Sequence, residues 1–360
     1  MNITVTKPFL PPCEEYQEYI NKIWDREWLT NNGPLVNELE LKLKEYIDVE
    51  HLLFVSNGTI ALQIAIRALD LQGEIITTPF SYVATTSSIV WERCKPVMVD
   101  ICPETLNIDP KKLEQAITKK TSAILAVHVF GNPCDVQAIQ TIAEKYKLRV
   151  IYDAAHAFGT TYNGRSLLSY GDISTCSFHA TKLFHTIEGG AVVTPNADFL
   201  KRMALMRNFG HISATEFGDI GINGKNSEMH AAMGLCNLKY IRDIIKVRKK
   251  LTNQYKANLQ NIPIQFQVIV PDTEYNFSYF PVIFEDESIL LKVLAQLNLY
   301  NIYPRRYFFP SLSDLPYVTG QKVPTAETIS RRILCLPLYD RLSEEEIAMV
   351  CRIVKRSIRY

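Results

Sequence analysis

The chain has 360 residues, enough for one large domain and a smaller one, and 47% of them are hydrophobic, which excludes wholesale disorder. Lys plus Arg number 39 and Asp plus Glu 38, a formal net charge of +1, so no sequence-wide field draws the chain to nucleic acid or an anionic membrane. Phosphate binding, if present, must be local. The eight cysteines are scattered, with no CxxC pair and no zinc spacing, so they read as reduced thiols and no metal site is expected. The segment MNITVTKPFLPPCEEY has no apolar signal core, and no apolar run reaches membrane-spanning length. A soluble cytoplasmic protein is the expectation.

Short β-branched runs alternate with helical patterns over the first two thirds of the chain. HLLFV (51–55) precedes a helix over GTIALQIAIRAL, and GEIITT (73–78) leads through Pro79 into a helix around SYVATTSSIVWE. KPVMVDI (95–101) reads as a buried strand, after which Asp109 and Pro110 cap the helix that opens KKLEQAI. SAILAVHVF (122–130) is the next strand, followed by the helix DVQAIQTIAEKYK. RVIYD (149–153), ISTCSF (173–178) and GAVVT (190–194) complete the set. Apolar strands separated by helices belong to a sheet covered on both faces, so a three-layer αβα domain with a mainly parallel sheet is predicted. From Ser227 to about Leu259 one long helical pattern leaves that domain. The expected division is 1–244, a large domain with an N-terminal arm, and 245–360, a small α+β domain. In the latter, strands are expected at IQFQVIV and YFPVIF and helices at SILLKVLAQLNLY and SEEEIAMVCRIVKRSI.

Ligands of such folds sit at the carboxyl ends of strands, and polar residues gather there. SNGT (56–59) lies between a strand and a helix. Gly58 lets backbone approach a ligand and the helix start offers free N–H groups, although an ordinary cap by Asn57 or Thr59 explains the same residues. Asp153 ends a buried strand, a costly place for a carboxylate without a cation or hydrogen-bond partner. A protonated ring nitrogen would serve, as would a capping role or a metal. In SFHATK (177–182) a turn carries Lys182, and partial desolvation would lower its pKa from ~10.4 and arm it toward an aldehyde. A lone lysine is otherwise a solvated surface charge. His128 lies in an apolar strand and reads as a core histidine, while His185 is open between pocket lining and structure. A phosphate cup, an Asp ending a strand and a Ser-x-x-x-x-Lys turn after the next strand form one site if the sheet joins their ends.

On these motifs, with TKPFLPP, LTNNGPLVNELE, TTPFSYVAT, VFGNPCDVQAI, VIYDAAHAFG, EGGAVV, GINGKNSEMHAAMG and PRRYFFPSL, the sequence resembles the DegT/DnrJ/EryC1/StrS sugar aminotransferases nearly end to end. The resemblance implies the type I aminotransferase fold and pyridoxal 5'-phosphate as cofactor. It implies that Lys182 carries the cofactor covalently and shuttles the proton, and that Asp153 binds the pyridine nitrogen. His156 matches the position at the ring's phenolic oxygen, Tyr82 the aromatic stacked on the ring, and Gly58, Thr59 and Ser177 the phosphate cup. Asn223 and Lys225 match residues that reach the cofactor phosphate and the nucleotide diphosphate from a neighbouring subunit, so a homodimer with shared active sites is implied. Arg306 and Tyr307 stand where the family often has a His-Tyr pair at the sugar. Ile187 replaces a glycine of the usual Lys-x-x-x-x-Gly-Glu-Gly-Gly, a change expected to affect only the turn.

The activity so implied is transfer of an amino group from L-glutamate to C4 of dTDP-4-keto-6-deoxy-D-glucose, for surface-glycan (O-antigen) synthesis. Amination at C3 of a similar dTDP-keto sugar is the nearest alternative. Sugar dehydratases of the same fold carry His in place of the lysine, and Lys182 argues against them. A protein that only binds a partner or regulates transcription stays open, though no helix-turn-helix extension or basic tail supports it.

Overall fold

The computed structural model describes residues 2–318 and 321–359. Strand β1 (Ile3–Thr4) opens an N-terminal arm and pairs in parallel with β14 (Ile302–Tyr303). Helices α1 (Cys13–Arg26) and α2 (Pro34–Ile47) follow. Pro34 opens α2, where its missing N–H costs nothing, and Leu35, Leu39, Leu43 and Ile47 recur along its buried side.

The αβ alternation then runs through β2 (His51–Val55), α3 (Gly58–Ala68), β3 (Glu74–Thr77), α4 (Val83–Trp91), β4 (Lys95–Met98), α5 (Pro110–Ala116), β5 (Thr121–Val127), α6 (Val136–Tyr146) and β6 (Arg149–Asp153). The small strands β7 (Thr161–Tyr162) and β8 (Arg165–Ser166) intervene before β9 (Ile173–Ser177), β10 (Gly190–Thr194) and α7 (Ala197–Arg207). The seven-stranded sheet has the order β2-β10-β9-β6-β5-β3-β4, with β10 antiparallel to both neighbours and the other pairs parallel. Successive residues face opposite layers: Leu52 and Phe54 pack with α2, whereas Leu53 and Val55 pack with α3. A sheet buried on both faces needs apolar residues in both phases, hence the continuous runs in the sequence.

The single helix expected over 227–259 is two helices, α8 (Glu228–Leu238) and α9 (Ile241–Asn258). Lys239 and Tyr240, at the junction, both reach Glu15 of α1, the lysine at 2.7 Å. α8 is buried on nearly every side in the layer of α1 and α2, while α9 is amphipathic, so the two bury different faces. Ile241 and Ile244 belong to the core of the large sheet; Leu251, Tyr255 and Leu259 belong to a second core. That core covers the sheet β11-β13-β15, made of β11 (Ile264–Phe266), β13 (Phe280–Phe284) and β15 (Ile333–Leu336). α10 (Glu287–Leu299) and α12 (Glu344–Arg359) pack on it, β12 (Thr273–Glu274) joins β7 and β8, and α11 (Pro324–Arg332) leads into β15. Asp100 ties α11 back to the large sheet. Its carboxylate accepts the N–H groups of Thr325 and Ala326 at 3.0 and 2.9 Å and pairs with Lys112 at 3.2 Å. Among the described residues no helix is long and apolar enough to cross a membrane.

Candidate active site

Register brings the three motif regions together. Gly190, the first residue of β10, pairs with Val55 on one side and Ser177 on the other. Asp153 pairs with Thr175 one strand further along. The start of α3 therefore lies beside Ser177 so closely that a Cβ on Gly58 would stand 2.9 Å from the Ser177 Cβ. Only glycine leaves that space open. A cavity of about 540 Å³ opens over these strand ends, lined by Gly58, Thr59, Tyr82, Asp153, His156, Ser177 and Lys182 and, from the C-terminal third, by Arg305, Tyr307 and Phe308. Asn57 takes the N–H of Ile60 at 2.8 Å, whereas the N–H groups of Gly58 and Thr59, in the first turn, have no partner within the helix.

Asp153 is buried. Its Oδ2 accepts the Thr85 hydroxyl at 2.7 Å, Ser81 lies 2.7 Å from Thr85, and Oδ1 accepts the Ala155 N–H at 3.1 Å. Burial raises its pKa, opposed by the two hydrogen bonds and by the charge of Lys182. Burial lowers Lys182 to about 8; Asp153 pulls it upward and Arg305 pushes it down. Burial also holds His156 well below the ordinary histidine value, so its ring is neutral. The ring lies parallel to Phe130 (6.0 Å, 3°) and to Phe308 (5.8 Å, 4°), and its buried Nδ1 has no protein partner. A buried polar atom without a partner marks a place where a ligand completes the bonding.

Of the residues singled out in the sequence, Gly58, Thr59, Tyr82, Asp153, His156, Ser177, Lys182 and Tyr307 line this one cavity. Arg306 does not. Its guanidinium pairs with Glu287 at 2.5 Å, donates to the Arg331 carbonyl at 3.0 Å and stacks on Phe309. Arg305 takes the cavity position, because its antiparallel pairing with Cys335 sends neighbouring side chains to opposite sides. Asn223 is exposed and paired with Asn208, and Lys225 sits over the Phe209 ring at 4.4 Å, both outside this chain's cavity. His128 is a core residue: its Nδ1 accepts the Cys134 N–H at 3.1 Å and burial lowers its pKa to about 3. His185 is structural, with Nε2 2.7 Å from the Phe9 carbonyl. Thr85 and Arg305 escaped the sequence reading. Thr85 follows Tyr82 by three residues at the start of α4, and that one-face spacing was a signal for it.

Ile187, the residue in place of glycine, has φ 69°. A β-branched residue reaches this left-handed region only under strain of order 1–3 kcal/mol. The turn is held by hydrogen bonds from the Ile187 N–H to His185 at 3.2 Å and from the Ala180 N–H to the Ile187 carbonyl at 2.7 Å. Ile187→Gly is therefore expected to stabilise the protein by about 1 kcal/mol, the strain relieved less the ~0.5–1 kcal/mol entropy cost of glycine. Thermal unfolding checks this; an unchanged or lower Tm would show an unstrained turn.

The donor set suits pyridoxal phosphate: a helix start and Ser177 for the phosphate, a buried carboxylate for the ring nitrogen, an unpartnered His156 nitrogen and a lysine of lowered pKa. Comparison with known proteins agrees. The chain is 44% identical over 361 residues to the dTDP-4-amino-4,6-dideoxy-D-glucose transaminase of Shigella dysenteriae, spanning 98% of each. It resembles a crystal structure of DesI in the presence of its TDP-sugar product with a TM-score of 0.94 and 31% identity, over 99% of this chain and 93% of that one. It also resembles NtdA from Bacillus subtilis with bound cofactor PMP, with a TM-score of 0.90 and 28% identity, over 96% and 82% of the two chains. The pattern that defines the DegT/DnrJ/EryC1/StrS aminotransferase family matches residues 13–355. With a cavity fitted to pyridoxal phosphate and a family match over nearly its whole length, the chain belongs to the DegT/DnrJ/EryC1/StrS aminotransferases.

Proposed function

We propose that the enzyme moves an amino group from L-glutamate to C4 of dTDP-4-keto-6-deoxy-D-glucose, giving dTDP-4-amino-4,6-dideoxy-D-glucose for surface-glycan (O-antigen) synthesis. The observation that carries the chemistry is Lys182, an amine with its pKa lowered to about 8, sharing a cavity with the buried carboxylate of Asp153. The whole-length relative with a C4-aminating name supports the choice of sugar. Nucleic acid and membrane have no part in this reading, which also takes the cytoplasm as its location and 1–244 and 245–360 as its two domains.

Pyridoxal phosphate, when bound, drains electrons from the carbon that loses its proton. Asp153, oriented by Thr85, holds the proton on the ring nitrogen. The free N–H groups of Gly58 and Thr59 and the Ser177 hydroxyl would hold the phosphate. Tyr82 would pack against the cofactor ring, and the unpartnered Nδ1 of His156 would be available to its phenolic oxygen. The Lys182 amine takes the proton from the donor's α carbon and, in the second half-reaction, delivers one to sugar C4. An amine with a pKa of about 8 serves both steps near neutral pH.

The reading includes a homodimer with shared sites. The segment that carries Asn223 and Lys225 exposes Phe209, Ile212, Phe217, Ile220 and Ile222, and this density of exposed apolar side chains supports a protein-binding face there. On the partner's site Asn223 would meet the cofactor phosphate and Lys225 the nucleotide diphosphate.

The test is a single turnover of the holoenzyme with L-glutamate, then with dTDP-4-keto-6-deoxy-D-glucose, following cofactor absorbance and identifying the product by NMR. Loss of the lysine-linked band with glutamate, its return with the sugar and an amine at C4 are expected. An amine at C3 would move the reacting carbon. No response to any amino donor would leave a binding protein and sink the aminotransferase chemistry.

A further inference from the structure

We propose that Arg305 is the receptor for the amino donor's α-carboxylate, an assignment that rests on the transamination reading above. Arg305 lines the cavity with Lys182, and its charge acts on the lysine amine. Among the described residues its guanidinium has no carboxylate partner and no hydrogen bond. Arg305 is exposed and its guanidinium is free to take a ligand, whereas that of its neighbour Arg306, outside the cavity, is spent on Glu287. Of the two carboxylates that line the cavity, Asp153 accepts the Thr85 hydroxyl and Glu188 is exposed with His179 3.5 Å away; neither pairs with Arg305.

The open fork is also positioned. The Arg305 N–H donates to the Cys335 carbonyl at 3.1 Å and its carbonyl accepts the Cys335 N–H at 2.8 Å, which fixes its backbone to the edge of β15. The guanidinium lies over the Tyr307 ring at 4.6 Å. A planar fork held in this way matches a carboxylate with two parallel hydrogen bonds.

Chemistry decides which anion it meets. In an amino acid the carboxylate is attached to the reacting carbon. In the sugar nucleotide the phosphates hang from C1, across the ring from C4. A cation that shares the cavity with Lys182 is therefore placed to meet the first, bound at the reacting carbon, rather than the second. During the sugar half-reaction the same fork faces neutral hydroxyls, so one residue serves an acidic donor and an uncharged sugar ring in turn.

Arg305→Gln and Arg305→Lys holoenzymes separate the possibilities when the two half-reactions are followed individually by stopped-flow absorbance. Calorimetry with glutarate, an unreactive dicarboxylate, and with dTDP runs beside them, and melting curves and cofactor absorbance verify folding and loading. Arg305→Gln is expected to weaken saturation by L-glutamate, and glutarate binding, by about 10- to 100-fold, the worth of a charged hydrogen-bonded contact. The sugar half-reaction and dTDP binding should change by less than about threefold, well below one such contact. Arg305→Lys keeps the charge without the fork and recovers part of the loss. A loss shared equally by both half-reactions overturns the assignment, and one confined to the sugar half and dTDP makes Arg305 a diphosphate receptor instead. If the wild-type enzyme responds to no amino donor, the transamination reading falls. Glutarate binding that ignores Arg305→Gln then overturns this assignment separately.

Discussion

Lys182→Ala lowers amino transfer by about 10⁴-fold, the upper end of what one positioned proton-transfer group supplies, while the protein stays folded. Lys182→Arg should be equally inactive, because a guanidinium keeps the charge and does not give up its proton. The pair separates the base from a mere cation. Stopped-flow rates and melting curves are the measurements, and an active Lys182→Arg enzyme would overturn the proton-transfer role. The sign of the pH effect follows from burial. With its pKa lowered from 10.5 to about 8, the amine is mostly neutral between those values, where an exposed lysine is mostly charged. Loading of pyridoxal phosphate into the apoprotein should thus speed up with rising pH and level off just above about 8. A rate still climbing toward ~10.4 would mean an unperturbed lysine.

Asp153→Asn is the second large effect, with an expected fall in kcat of about 10²- to 10³-fold, typical of removing one fixed electrostatic contact from a reaction centre. The change keeps the shape and removes the charge that holds a proton on the ring nitrogen. A second readout is independent of turnover. Asp153 raises the pKa of Lys182, so its neutralisation must lower it, and the apoprotein's loading profile shifts to lower pH. Acid acts in the same direction as the mutation. Burial raises the Asp153 pKa, so the apoprotein loses this charge at a higher pH than an exposed aspartate would, until a cation binds beside it. A fall in kcat of less than about tenfold with an unmoved profile would remove Asp153 from the mechanism.

The main sheet was legible because both of its faces are buried. HLLFV, RVIYD and GAVVT begin and end where β2, β6 and β10 do. The site was legible for a related reason: polar residues at the ends of apolar strands have few structural excuses, and Asp153 and Ser177 occupy such ends. What stayed hidden depends on partners distant in the chain. The break at Lys239 and Tyr240 answers to Glu15, which no local pattern contains. The run ILCL of β15, four residues, is too short and too uniformly apolar to announce itself as a strand, and α11 before it has only nine residues. Arg305 and Arg306 are adjacent and chemically identical. Only pairing with Cys335 decides which one faces the cavity.

The cavity has two builders. Its floor comes from strand ends and turns of the seven-stranded sheet, whereas Arg305, Tyr307 and Phe308 come from one loop whose backbone leans on β15. Changes in that loop can alter what is accepted without disturbing what reacts. Selectivity and reactivity are in this sense separately heritable: a lineage could retool Tyr307 and Phe308 for a new sugar while Lys182, Asp153 and Arg305 pass on untouched.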